Sequence, residues 1–400
     1  MSASIVSLKA AMKCLGWTVL LACLAGLGGC ATAPQPVLLP QLFDDAAFAA
    51  PAHKIDAAEV FALSPAMRHY LEVEIAPQTR VLGRQRGLVN ALQSKAQLRL
   101  DFDTDVTRTA AEAFDARAGN CLSLVVMTAA LARHLELPVH YQALVGQETW
   151  SRSGDLSLVN GHVNITVDKR LIDRVAGVDP DSQVRLEFGP IPAGRGASLQ
   201  QVSEATILAM FMNNRAAEAL VRGEINDAYA YARDAVLQDP GYPSSYNTLG
   251  VVYQRRGLAT HAERAYRHAL VRDAGHAPAL SNLARLLDGQ GRNAEAAPLR
   301  QRLARLEAEP PFRHFDLGRA AAQAGDFRAA REHLLREMRR DPDYHEFHFW
   351  LAVALYGLGE VDQARTHLST AMKNSTTRRE QALYASKLQR LAVSSGSPAQ

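Results

Sequence analysis

The spacing of apolar residues changes period twice along the chain. From about Ala57 to Gln93, through AAEVFAL, PAMRHYLEVEI and VLGRQRGLVNAL, apolar side chains recur at helical spacing and Ser64-Pro65 marks a helix start, so two or three helices are expected. LRLDF at 98–102 alternates briefly, and TDVTRTAAEAF at 104–114 reads as a helix. Leu122 to Leu135 then run almost without polar interruption, the pattern of a helix buried nearly all round. After it the period drops to two. Residues 138–146, 149–159, 162–167 and 183–188 alternate, are rich in β-branched residues and end on Asn, Gly or Asp, as strands do. The expectation is an α+β domain over 55–200, a helical layer on an antiparallel sheet.

From 209 the pattern turns helical again and repeats. Ala228, Ala262, Ala296, Ala330 and Ala364 each stand 34 residues apart (262 − 228). Residues 243–276 carry Tyr246, Leu249, Gly250, Tyr253, Ala262, Tyr266 and Ala269, and Leu317-Gly318 repeats Leu249-Gly250 two periods later. Pro240 and Pro342 end second helices three periods apart. This resembles the tetratricopeptide repeat. The resemblance implies an all-α solenoid of about five units over 201–376, with 377–392 as a capping helix, 393–400 as a disordered tail, and a concave face for a protein or peptide ligand. The third unit departs from the pattern, with Ala284 where glycine is usual and Arg300 at an aromatic position, which puts its packing in question.

Composition narrows the function. Of the 400 residues 48% are hydrophobic and 21% charged, an ordinary globular balance. The formal charge is only +3 and the arginines alternate with Glu and Asp, so no basic face offers itself to nucleic acid. At the N-terminus Lys9 and Lys13 precede an apolar run, Leu15 to Leu27, too short to span a membrane but suited to a secretory signal. Its end, Leu27-Gly28-Gly29-Cys30, resembles a bacterial lipobox. That resemblance implies removal of residues 1–29, lipidation of Cys30 and, with Ala31 following, attachment to the periplasmic face of the outer membrane. Residues 30–54, with Pro34, Pro36, Pro40 and Pro51, read as a tether. Loss of Cys14 and Cys23 with the leader then leaves Cys121 as the free thiol of the mature chain.

Cys121 stands between a Gly119-Asn120 turn and the apolar helix, where unpartnered N–H groups and the helix dipole favour a thiolate. His162, Asn164 and Thr166 share one face of their strand. Antiparallel pairing with the 183–188 strand brings Glu187 near His162. Thiol, imidazole and carboxylate form the set that nucleophilic chemistry requires. The competing chemistry is a metal site from Cys121, His134, His140 and His162, which lacks CxxC or HxxxH spacing.

Gly-Asn-Cys at a helix start, His-Val-Asn on a strand and an acid on the following strand together resemble the transglutaminase-like superfamily, whose core is papain-like. TRTAAEAF, RAGNCLSLVVMTAALAR, TWSRSGDLSLVNGHVNITV and AMFMNNRAAEAL are similar to the bacterial lipoprotein branch that joins this domain to tetratricopeptide repeats. The resemblance covers most of 60–390. It implies Cys121 as nucleophile and His162 as general base, with no cofactor. For the third member the family usually has Asp where this chain has Glu187; Asp179 is the second choice. Asp168, six residues from His162, lies about 20 Å along the strand, too far. The Cys121 backbone N–H is the default oxyanion donor, with Trp150 or a glutamine as a possible second. The implied activity is that of a cysteine peptidase or amidase working through a thioester. The alternative is a non-catalytic envelope scaffold that docks a partner on the repeats.

Overall fold

The computed structural model describes residues 41–394 other than 54–55, 95–97, 99, 105, 146–148, 154–155, 174–178, 180–181, 190–197, 307–311 and 376. The expected leader, Cys30 and residues 31–40 of the tether lie outside the described residues, as do 395–400; the tether reading is corrected for its second part, where the N–H groups of Ala52 and His53 donate to Asp227 and Phe48 stacks on Tyr229. Contacts divide the chain into Met1–Asp44 and Asp45–Gln400, and the second unit carries everything that follows.

Helices α1 (Ala57–Val60), α2 (Pro65–His69), α3 (Ala76–Leu82) and α4 (Arg84–Gln93) fill the first stretch, with a π-helical turn at Tyr70–Glu74. Ser64 starts α2 as expected, its hydroxyl accepting from the Met67 N–H with Pro65 at the first position. The stretch at 104–114 is only half helical. Thr109 and Glu112 form a reciprocal capping box that starts α5 at Ala110, and the helix ends at Ala116, which leaves Val106, Thr107 and Arg108 outside it. Strand β1 (Asp101–Phe102) pairs in parallel with β2 (Ala118–Gly119). Helix α6 (Cys121–His134) follows at once, and every residue from Leu122 to Ala132 is buried. A side chain at Gly119 would put its Cβ 2.7 Å from that of Ser123, so glycine alone lets the chain enter α6 here.

The sheet has the order β7-β6-β3-β8, from β3 (Val139–Val145), β6 (Val163–Asp168), β7 (Gln183–Leu186) and β8 (Ser198–Val202), all antiparallel. Helix α6 packs on β6 and β3. Two readings are corrected. The stretch 149–159 is not one strand but two that pair as a hairpin, β4 (Thr149–Ser153) against β5 (Leu156–Asn160). β8 was not expected, because SLQQV is largely polar and exposed and carries little alternation.

The array begins at α7 (Glu204–Arg222), capped by Ser203, and continues as α8 (Ile225–Gln238), α9 (Pro243–Arg255), α10 (Ala259–Arg272), α11 (Ala277–Gly289), α12 (Asn293–Leu306), α13 (Arg313–Gln323), α14 (Phe327–Met338), α15 (His345–Gly357) and α16 (Val361–Asn374). These are five antiparallel pairs, followed by α17 (Arg378–Ser394) against α16. The five alanines of the 34-residue period are all fully buried. A second signal has the same period: Gly223, Gly257, Gly291, Gly325 and Gly359 close the first helix of each pair with φ between +77° and +82°, a conformation that side chains resist.

The third unit packs despite its departures. In the second unit a Cβ on Gly250 would collide with the Tyr266 ring. One period on, Arg300 replaces the ring and turns out to Asp288, 2.5 Å away, which frees the space that the Ala284 methyl occupies. Small residue and bulky partner change together.

Histidines inside the array make its stability sensitive to acid. Burial pushes His276 and His345 down to about 4. His276 Nδ1 accepts from the Ala279 N–H, which requires the neutral ring, and His345 Nδ1 lies 2.9 Å from the Tyr384 hydroxyl. The pairs His314–His333 and His348–His367 repeat one period apart with Nδ1···Nδ1 separations of 3.0 and 2.9 Å. His367 is held below its usual value by burial and then by His348. His276 and His345, neutral when folded but basic when unfolded, give stability that is present above about pH 6.5 and lost as pH falls towards 4, up to about 3 kcal/mol each. Thermal melts of the chain should therefore shift down between pH 7 and pH 4.5, and His276→Asn with His345→Gln should flatten the shift. Equal pH slopes in variant and parent would refute the assignment.

Candidate functional site

Asn120 caps α6 in an extended conformation (φ −72°, ψ 173°), and its Oδ1 accepts from the Ser123 N–H at 2.8 Å. Cys121 follows as the first helical residue. Its thiol is half-buried and donates to the Gly161 carbonyl at 3.7 Å. Sulfur and the residue before His162 are thus in contact across the 40 intervening steps of chain. The protonation of the thiol runs against the sequence expectation. Burial pushes it above its ordinary value, and the N–H groups of Val163, Leu122 and Cys121 itself pull it down by less; the Glu187 charge adds a further upward push. Desolvation outweighs the helix start, so the resting group is a thiol and any nucleophile must first lose its proton to a base.

His162 stands just before β6 and is 8% exposed. Its Nε2 lies 2.9 Å from Glu187 Oε2, which leaves Nδ1 for a second partner. The same carboxylate accepts from Asn164 Nδ2 at 2.7 Å through Oε1 and pairs with Arg185 Nε at 3.2 Å. The strand register explains the reach. Ile165 pairs with Leu186, so Glu187, one residue past β7, comes opposite Asn164 and within a side-chain length of His162.

The other acids are engaged elsewhere. Lys169 Nζ holds both oxygens of Asp179, at 3.1 and 2.8 Å, so the second choice for third member belongs to that ion pair. Asp168 lies 3.4 Å from His140 and accepts from Gln183. His134 faces Glu72 at 3.3 Å. Of the four residues weighed as a metal set, His134 and His140 are thus turned to carboxylates of their own. Among the described residues no group of three or more His, Cys, Asp or Glu could hold a metal ion. The Trp150 side chain lies outside the described residues.

Two participants escaped the sequence reading. Asn164 was placed on the His162 face without a role, yet it is fully buried and binds Glu187. A polar amide in a strand that is buried at every position was the available signal. Thr107 lies on the far side of Asn120, within a stretch expected to be helical, and its Oγ1 accepts from Asn120 Nδ2 at 2.9 Å.

The geometry defines two features: an imidazole–carboxylate pair at His162 and Glu187 whose preceding residue, Gly161, the Cys121 thiol touches, with no hydrogen bond between that sulfur and the ring, and a helical-repeat array. Residues 277–302 and 315–377 match the tetratricopeptide-repeat family, and the C-terminal region of the chain is a tetratricopeptide-repeat solenoid. The chain is 31% identical over 185 residues to cellulose synthase operon protein C of Xanthomonas axonopodis pv. citri (strain 306), a match covering 44% of this chain and 12% of that protein. It is 29% identical over 171 residues to the protein of the same name from Pseudomonas fluorescens (strain SBW25), covering 40% of this chain and 13% of that one. The match thus spans about an eighth of these relatives' length. Among solved structures, a thermophilic tetratricopeptide protein of Thermus thermophilus is 17% identical with a TM-score of 0.30, covering 45% of this chain and 99% of that one. PilF of Pseudomonas aeruginosa is 23% identical with a TM-score of 0.27, covering 47% and 93%.

Removal of the Glu187 carboxylate leaves the buried His162 Nε2 and Asn164 Nδ2 without an acceptor. Glu187→Ala should lower the unfolding free energy by about 2–3 kcal/mol, and Glu187→Gln, which keeps one oxygen acceptor, by less. Urea melts measure both, and a Glu187→Ala chain as stable as the parent would contradict the network.

Proposed function

We propose that this chain is a docking protein of the bacterial envelope, in which the tetratricopeptide array holds a protein or peptide partner. The observation that carries this reading is the run of five helix pairs closed by α17, matched to the family over 277–302 and 315–377. Stacked repeats offer a long continuous surface at little cost in ordering. In this reading the chain is lipidated at Cys30 and held at the periplasmic face of the outer membrane, on the ground of the Leu27-Gly28-Gly29-Cys30 sequence after a short apolar run. The intact mass of the mature chain tests the lipid. In a strain lacking the protein, Cys121→Ser should restore the phenotype fully if docking is the whole function.

A second reading is favoured by one contact, the 2.9 Å bond between His162 and Glu187, with the Cys121 thiol on the carbonyl of the residue before His162. Here residues 55–200 are a transglutaminase-like domain with a papain-like core, and the chain is a cysteine peptidase or amidase. Because burial favours the thiol, His162 takes its proton through Nδ1 as sulfur attacks an amide carbonyl, and Glu187 stabilises the charged ring. The ring returns that proton to the leaving amine. Water then attacks the thioester, giving a carboxylic acid and the free thiol. Under this reading His162→Ala slows alkylation of Cys121 by iodoacetamide at neutral pH by about a hundredfold, the low end of the usual range for a general base. Alkylation unaffected by the variant, together with full rescue by Cys121→Ser, leaves docking alone.

A further inference from the structure

Thr107 is 1% exposed and uses every polar group it has. Its N–H donates to Glu218 Oε1 at 2.7 Å and its carbonyl accepts from Arg215 Nη1 at 3.2 Å. Its hydroxyl accepts from Asn214 Nδ2 at 3.3 Å. Asn214, Arg215 and Glu218 all belong to α7, the first helix of the array. The remaining bond of Thr107 runs the other way, from Asn120 Nδ2 to the hydroxyl at 2.9 Å.

The Asn120 amide is thereby oriented. With Nδ2 spent on Thr107, Oδ1 faces α6, where it accepts from both the N–H and the hydroxyl of Ser123 at 2.8 Å each. The Arg108 N–H, next to Thr107, donates to the same Ser123 hydroxyl at 2.8 Å. Cys121 lies between Asn120 and Ser123 in a turn that is thus pinned at both ends. A buried amide whose partner is lost can rotate, and the cap and the first-turn N–H groups rotate with it.

We infer that the array's first helix positions Cys121, with Thr107 and Asn120 as the positioning residues between α7 and the thiol. The inference rests on the second reading above and adds the repeat array to the machinery that holds the reacting sulfur. Thr107 acts on the sulfur through the cap.

The test is the rate of Cys121 alkylation by iodoacetamide from pH 5 to 10, in the full chain, alongside thermal melts. Thr107→Val keeps the shape and removes the hydroxyl. It should slow alkylation at pH 7 by roughly tenfold and move the midpoint of the profile up by about one pH unit, because fewer N–H groups then face the thiolate. Asn214→Ala, on the array side, should slow alkylation by about threefold and raise the midpoint by about half a pH unit. Thr107→Ser, which keeps the hydroxyl, should follow the parent. If Thr107→Val fails to fold, Asn214→Ala decides. Parental profiles in folded Thr107→Val and Asn214→Ala overturn the inference, as does a Thr107→Ser chain as slow as Thr107→Val. His162→Ala with an unaltered profile overturns the catalytic reading alone, because the Thr107 variants still report how the cap holds the thiol.

Discussion

A strand covered on both faces has no water to satisfy its polar side chains, and the N-terminal part of this structure depends on how β6 meets that constraint. Its residues are buried at every position, Asn164, Thr166 and Asp168 included, with His162 buried just before it. One carboxylate on the neighbouring strand resolves most of the problem, since Glu187 takes both the imidazole and the amide. Thr166 is met by Gln142 from the other side, and Asp168 by Gln183. An unpaired polar group here costs as much as a sizeable hydrophobic contact contributes, so the register of β6 and β7 is set by polar matching as well as by alternation. The arrangement that stabilises the sheet is also the one that orients the imidazole, one residue along from the carbonyl the thiol touches.

The same low-polarity setting decides the state of Cys121. A helix start and nearby N–H groups favour negative charge on sulfur, but the helix they belong to is buried along its length, and loss of hydration weighs more. The array solves a different problem with different means. Its helices are held close by small residues at fixed intervals, and where one side of a contact enlarges the other withdraws, as Arg300 does opposite Ala284. Each unit can therefore vary in sequence while its spacing is preserved.

The parts of this fold that were legible in the sequence are those ruled by local periodicity. The buried run after Cys121, the alternation at 162–167 and the 34-residue alanine spacing all report which face is covered, and the structure has α6, β6 and five helix pairs there. Glu187 was legible for the same reason, because a strand register follows from alternation. What periodicity could not show was set by contacts distant in sequence. β8 is a strand only because β3 offers it an edge, and Asp179 is removed from the site by Lys169. Thr107 sits in a stretch with fair helical composition, but its partners, over a hundred residues away on α7, hold it outside α5. The raised thiol was likewise hidden, since exposure is a property of the folded chain.

The junction between sheet and array has a mechanical consequence. β8 ends at Val202 and α7 begins at Glu204, so a single residue, Ser203, forms the joint, and its side chain is committed to capping the helix. A joint of that length has no slack to absorb torsion. Any load that twists the superhelix at its first turn is delivered straight to the outer strand of the sheet, which makes the two parts one lever arm and not two bodies on a string.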